Sequence, residues 1–288
     1  MNQFWLKAFL TIFILGVSLS IKPFHQNHII PSDEERIING RRVHISEVPY
    51  LVQILDDPFK TPICGGVLVA SKRVITAGHC VYDINNKSFE DQLYIRYGTS
   101  LKDSSPYPVE SVSRIILHRG YSEPENVTIN DIAVLILQNS ISKSSKVDFA
   151  RLPTFEFDGI FQVSVYGWGH RDVDEPKSDA LLKATMITKR SRDCVEEWNP
   201  GCQTEFNCQH ICAIADSSGS GEGDSGGPVV LGGTVVGLVS LDLNFSETEF
   251  GEFEPDPPNE ERLFQRTFYH IDFINARERN HIEHILIP

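Results

Sequence analysis

The chain has 288 residues, 41 % of them hydrophobic and 10 % aromatic, which is enough for one large core or two modest ones. Its 39 acidic and 26 basic residues leave a net charge of −13, which makes nucleic acid and anionic membrane poor partners. Six cysteines, the first at Cys64, read as disulfides rather than metal ligands in a secreted chain, and their spacing alone does not choose the pairing.

Residues 1–20 are expected to be a secretory signal. Lys7 gives a positive start, residues 8–19 form a short apolar run, and Ser18 and Ser20 are small enough for a cleavage site. The run falls short of the roughly 18–20 apolar residues that a bilayer span requires, and no later segment qualifies. A secreted, extracellular chain without a membrane span is therefore expected. Residues 21–36 are polar, contain Pro23 and Pro31, and end in Asp33-Glu34-Glu35-Arg36 before Ile37-Ile38-Asn39-Gly40. Such a segment is either an ordinary disordered N-terminus or a linker whose last arginine is a proteolytic nick site. A cut there would leave Ile37 with a new positive α-amino group.

From residue 43 onward, short β-rich runs fall at 50–55, 66–69, 73–77, 93–97, 109–118 and 132–137. After a serine-rich break near 138–155 they resume at 161–166, 182–189, 228–231 and 234–243. Several alternate apolar and polar residues, as half-buried antiparallel strands do. The pattern predicts an all-β sandwich or barrel in two comparable halves. Residues 242–261 hold eight acids, no lysine or arginine, and Pro255, Pro257 and Pro258, and are expected to form an exposed acidic loop between strands. Ile271, Ile274, Ile282, Ile285 and Leu286 lie near helical spacing, which predicts a helix of some length over 271–287.

One stretch carries chemistry of its own: Glu222-Gly223-Asp224-Ser225-Gly226-Gly227-Pro228. A serine hydroxyl is a poor nucleophile until a base takes its proton and N–H groups receive the charge on the attacked carbonyl oxygen. The flanking glycines let the backbone turn tightly and aim the N–H groups of Gly223 and Ser225 at one point. Among ten histidines, His79 is singled out because it follows the apolar run at 73–77 and precedes Cys80, with Cys64 one strand upstream. Asp131 sits at the mouth of the apolar run Ile132-Ala133-Val134-Leu135, where a carboxylate is costly to bury without a hydrogen-bond donor, and a histidine N–H is one such donor. Taken singly, these features also read as a glycine-rich turn, a loop histidine and a turn or cap aspartate.

Together the motifs resemble the chymotrypsin/trypsin family of serine proteases. The matching pieces stand in the family's order: Arg36-Ile37-Ile38-Asn39-Gly40, Cys64-Gly65-Gly66, Thr76-Ala77-Gly78-His79-Cys80, Asn130-Asp131-Ile132-Ala133-Val134-Leu135, Gly167-Trp168-Gly169 and Gly223-Asp224-Ser225-Gly226-Gly227-Pro228. The resemblance implies two antiparallel six-stranded β-barrels with a C-terminal helix, arranged as signal peptide 1–20, activation propeptide 21–36 and protease domain 37–288. It makes Ser225 the nucleophile, His79 the general base, Asp131 the residue that orients His79, and the N–H groups of Gly223 and Ser225 the oxyanion hole. It further implies a zymogen cut after Arg36 by an activating protease, after which the amine of Ile37 pairs with Asp224. Protein or peptide substrates and protein inhibitors are the implied partners, and no cofactor or metal is implied.

The same resemblance pairs Cys64 with Cys80 and Cys194 with Cys212, and leaves Cys202 with Cys208. The family bridge that flanks the nucleophile has no counterpart, since Gly221 stands at one of its positions. The substrate pocket departs further. Gly219 occupies the base position where trypsin-like members carry aspartate, and Ser240-Leu241-Asp242 replaces the usual Ser-Trp-Gly wall. An apolar, aromatic or mixed preference for the residue before the scissile bond (P1) is expected, with basic residues attracted by Asp242 as the alternative. A protease-like binding or regulatory protein with weak or lost catalysis is the alternative function; retention of all three catalytic positions favours an enzyme. Asn86, Asn126 and Asn244 head glycosylation sequons.

Overall fold

The computed structural model describes residues 40–83, 88–89, 92–102, 106–123, 128–169, 179–194, 209–214, 223–240 and 261–276. In the N-terminal half the strands are β1 (Arg41–Arg42), β2 (Leu51–Leu55), β3 (Cys64–Ala70), β4 (Arg73–Thr76), β5 (Tyr82–Asp83), β6 (Ser88–Phe89), β7 (Tyr94–Tyr97), β8 (Val109–Leu117) and β9 (Ala133–Leu137). The second half adds β10 (Gln162–Gly167), β11 (Leu182–Thr188), β12 (His210–Ile214), β13 (Pro228–Leu231), β14 (Thr234–Val239) and β15 (Glu261–Arg266), followed by the short helix α1 (Ile271–Asn275).

Antiparallel pairing closes β2-β3-β4-β9-β8-β7 into the first barrel. The second runs β11-β10-β13-β14-β15-β12, and β12 closes the ring by pairing back onto β11 through Ile187 with Ile214 and Thr188 with Ala213. Strand β1 is added outside the ring, along β11. Closure leaves neither ring a long free edge, which is how an all-β chain of short strands avoids templating aggregation.

The hydrophobic pattern accounts for most of these strands. All five residues of β2 and all five of β9 are buried, whereas β11 alternates buried and partly exposed residues along Leu182–Thr188. Gln53 is the polar exception inside β2, and its amide donates to the Leu101 carbonyl. The segment predicted as a break is laid against the core, with Ile141 and Val147 buried and Phe149 and Leu152 partly so. One apolar cluster runs from first-barrel residues such as Val52 and Leu135 to Trp168, Val235 and Leu238 of the second half.

Three features differ from the sequence expectation. Strands β12 and β15 complete the second barrel, yet neither stands among the predicted β runs. The reason is visible in β15, where Arg262, Gln265 and Arg266 are buried beside Leu263 and Phe264, so period-2 hydrophobicity is absent. Glu261, assigned to the acidic loop, is already the first residue of β15. Helix α1 ends at Asn275, where Ala276 adopts ψ 126, and residues 277–287 of the predicted helix lie outside the described residues. There the Arg73 guanidinium donates to the carbonyls of Ile274 at 2.6 Å and Ala276 at 3.1 Å, satisfying groups that a longer helix would have used. Among the described residues, no helix is long and apolar enough to cross a membrane.

Candidate active site

Asp131 immediately precedes the buried run of β9 and is 0 % exposed. Its carboxylate survives burial because three donors converge on it. The backbone N–H of His79 reaches Oδ1 at 2.9 Å, the His79 ring reaches Oδ2 through Nδ1 at 2.9 Å, and the Ser240 hydroxyl donates to Oδ2 at 2.5 Å. Burial pushes the carboxyl pKa up, but attraction to the His79 ring and these hydrogen bonds outweigh it and hold the group below the ordinary aspartate value. A carboxylate accepts only, so Nδ1 is the ring nitrogen that carries the hydrogen and Nε2 keeps its lone pair. Nε2 lies 3.8 Å from Cys80 Sγ, and the side chain of His79 is 16 % exposed.

Ser225 is tied to this pair through backbone. Its carbonyl accepts the N–H of Gly65 at 2.8 Å. Gly65 follows Cys64, and Cys64 is bridged to Cys80 with the two Cα atoms 6.1 Å apart. The start of β3 therefore anchors the histidine loop by a disulfide and the serine loop by a hydrogen bond. Two further bonds fix the serine loop to the end of β14: the Gly226 N–H to the Val239 carbonyl at 2.7 Å, and the Val239 N–H to the Gly227 carbonyl at 2.9 Å. Gly226 has φ 76, and a Cβ there would stand 2.1 Å from Thr76 Oγ1, so only glycine fits. Ser225 itself is partly exposed, next to the buried Asp224.

Asp224 is 1 % exposed and lies against Gly167-Trp168-Gly169. Its Oδ1 accepts the Gly169 N–H at 2.7 Å. An added Cβ on Gly167 would stand 1.9 Å from Oδ1, and one on Gly169 2.5 Å from Oδ2, which explains why small residues flank Trp168.

Behind Asp131 lies a polar layer that sequence reasoning missed. Gln265 of β15, Gln209 just before β12, Thr128, His210 and His270 have their hydrogen bonds here. His210 donates through Nε2 to the Thr128 carbonyl at 2.8 Å, and its buried Nδ1 finds no partner among the described residues. Burial pushes the pKa of His210 down to about 4 and, aided by the neighbouring His118 and His210, that of His270 to about 3. Only the polar residues inside β15 hinted at this layer.

Cys194 and Cys212 form the second bridge, with Cα atoms 6.0 Å apart. Cys64, His79 and Cys80 place donor atoms within 4.8 Å of one another, but both sulfurs are joined to each other and offer no thiolate to a metal. Arg36, Ile37, Asn86, Asn126, Cys202, Cys208, Gly219, Asp242 and Asn244 lie outside the described residues.

A family model described as Trypsin matches residues 37–254. Trypsin delta of Drosophila erecta is 30 % identical over 212 residues, which cover 74 % of this chain and 80 % of that protein. Venom serine protease 34 of Apis mellifera is 28 % identical over 200 residues, covering 68 % of this chain and 48 % of that protein. Neuropsin, a serine protease expressed in the limbic system of mouse brain, superposes with a TM-score of 0.66 at 25 % identity, over 82 % of this chain and 96 % of that one. Human heparin binding protein shares the fold, with a TM-score of 0.64 at 20 % identity over 83 % of this chain and 95 % of that one.

Proposed function

Because this chain belongs to the trypsin family of serine proteases, we propose that it is a secreted endopeptidase that cleaves peptide bonds through Ser225, His79 and Asp131. The observation that carries this reading is the 2.9 Å bond from His79 Nδ1 to a fully buried Asp131. It leaves Nε2 as the basic nitrogen and gives the imidazolium formed during reaction a counter-charge.

In the proposed sequence, Ser225 Oγ attacks the substrate carbonyl carbon while His79 Nε2 takes the hydroxyl proton. Negative charge gathers on the carbonyl oxygen, where the N–H groups of Gly223 and Ser225 receive it. His79 then hands the proton to the leaving amine, and the C–N bond breaks to give an acyl-enzyme. Water repeats the cycle, with His79 again acting as base and then as acid, and releases the new carboxylate.

Cleavage after Arg36 is proposed to activate the chain. The amine of Ile37 would then neutralise Asp224, a buried carboxylate of the kind that is costly without a cation nearby. Residues 1–20 are proposed as the secretory signal, with 21–36 as the released propeptide.

For P1 we favour apolar or aromatic side chains over basic ones. The resemblance supports this choice, since Gly219 stands at the base position where trypsin-like members carry the aspartate that pairs with lysine or arginine. One experiment tests both parts: cleave the chain after Arg36 and profile it on a tetrapeptide library beside Ser225→Ala. The expected result is cleavage after apolar or aromatic residues, reduced by about 10⁴-fold or more in the variant. Equal turnover by Ser225→Ala would sink the mechanism, whereas cleavage confined to lysine and arginine would sink only the preference.

A further inference from the structure

The turn that delivers Asp131 belongs to the first barrel, but its two N–H groups are held from the second. Asn130, at φ 52, is in the left-handed region that L-residues other than glycine and asparagine rarely occupy. Its side chain donates to the Gly120 carbonyl at 3.0 Å, and its N–H donates to Gln209 Oε1 at 2.8 Å. The next N–H, that of Asp131, donates to Gln265 Oε1 at 2.9 Å. Gln265 in turn donates from Nε2 to the Gln209 carbonyl and to His270 Nε2, both at 2.8 Å.

This network fixes its own orientation. The Asp131 N–H needs an oxygen and the Gln209 carbonyl needs a donor, so the Gln265 amide cannot be reversed. His270 Nε2 must then accept, which leaves that ring neutral with its hydrogen on Nδ1. Gln265 is completely buried and its amide oxygen and both amide hydrogens are used. Two adjacent residues of an unusual turn are thus clamped by a pair of glutamines that share a hydrogen bond of their own.

We propose that Gln265, braced by Gln209, is a positioning residue for the reaction: it holds the Asp131 backbone so that the carboxylate stays aligned with His79. The proposal rests on the endopeptidase reading above. Gln265 acts through Asp131, and its partners show how. If the Asp131 N–H loses its acceptor, a buried donor is left unpaired and the turn relaxes, carrying the carboxylate away from Nδ1. Misplacement on the order of 1 Å in such a constellation costs about 100-fold in rate.

The test compares activated wild type, Gln265→Leu and Gln265→Glu, each normalised to active sites counted with a covalent serine-hydrolase probe. Gln265→Leu should lower kcat by about 10- to 100-fold and leave KM nearly unchanged. Its acid limb in the kcat/KM profile should move to lower pH, because a loosened carboxylate stabilises the His79 cation less. Gln265→Glu keeps an acceptor for the Asp131 N–H but gives up the donors to the Gln209 carbonyl and His270, so it should recover part of the kcat lost in Gln265→Leu, with an acid limb at or above that of wild type. In the wild type burial holds His210 down to about 4 and His270 to about 3, below the limb, whereas Gln265→Glu sets a carboxylate against His270 Nε2 and raises that ring, so the limb is decided on Gln265→Leu. A structural role alone would lower the count of active sites but leave kcat per site and the acid limb where they are, and that result overturns the proposal. If Gln265→Leu does not fold, Gln209→Met decides by the same readouts, since it removes only the acceptor for the Asn130 N–H and keeps the Gln209 carbonyl. Wild type that resists the probe after activation would instead overturn the endopeptidase reading.

Discussion

At Asp131 and His210, burial acts on two ionisable groups with opposite outcomes. Asp131 keeps its charge because His79 and Ser240 supply donors, and its pKa falls below the ordinary value. For His210, burial, aided by the Arg266 cation, outweighs the bond to the Thr128 carbonyl and the Asp131 charge, so it stays neutral, with its pKa lowered from 6.5 to about 4. The stability consequence follows from proton counting. Below about pH 6.5 the unfolded chain protonates this histidine while the folded chain does not, so stability falls as pH drops, by up to about 1.4 kcal/mol per pH unit, until roughly pH 4. His270 adds the same trend down to about pH 3. The Asp131 contribution is present above the ordinary aspartate value of 3.8 and is lost as pH falls below it, outside the interval from pH 7 to pH 5. Urea midpoints measured at pH 7 and pH 5 should drop for wild type and drop less for His210→Gln, whose amide still has a donor for the Thr128 carbonyl. Identical drops would remove His210 from the account.

Strand β15 is the element on which the site and the second barrel both depend. One face carries Phe264 into the core with Val163, Met186 and Val229, while the other carries Gln265 to the Asp131 turn. At its end Arg266 donates to the carbonyls of Phe157 and His210 and pairs with Glu156 at 3.2 Å. Phe264→Ala should cost about 3–5 kcal/mol, read as a lowered denaturant midpoint at unchanged slope. A loss below about 1 kcal/mol would mean that β15 is not part of the cooperative core. This strand also shows where sequence reading stops. The predicted runs at 50–55, 109–118 and 182–189 fall on β2, β8 and β11 because each carries its burial pattern in its own residues. Ser225, His79 and Asp131 stand out because glycines, a cysteine or an apolar run beside them mark the local chain. Gln209 and Gln265 have no such marker: they meet 56 residues apart, and a glutamine in a charged stretch looks solvated until the barrel closes over it.

For the whole molecule, the two barrels share an apolar cluster, and the candidate site is built from both. First-barrel residues supply His79 and Asp131, and second-half residues supply Ser225, Ser240 and Gln265. On the proposed reading, a switch acting on Asp224 would reach the site through the serine loop. Arg36→Gln, which blocks cleavage, should leave the chain at less than about a hundredth of the activated enzyme's turnover on a peptide substrate, with its fold intact by circular dichroism. Full turnover by the uncut variant would remove the Ile37–Asp224 switch from the mechanism.

Among the described residues β15 is the last strand, and that order has a consequence in time. A ribosome makes His79, Asp131 and Ser225 before it makes Gln265, so the nascent chain holds the three proposed catalytic residues while the clamp on Asp131 is still missing. The second ring cannot close until Glu261–Arg266 has emerged to lie between β14 and β12. On the proposed reading, alignment of His79 with Asp131 is thereby deferred until Glu261–Arg266 has been made.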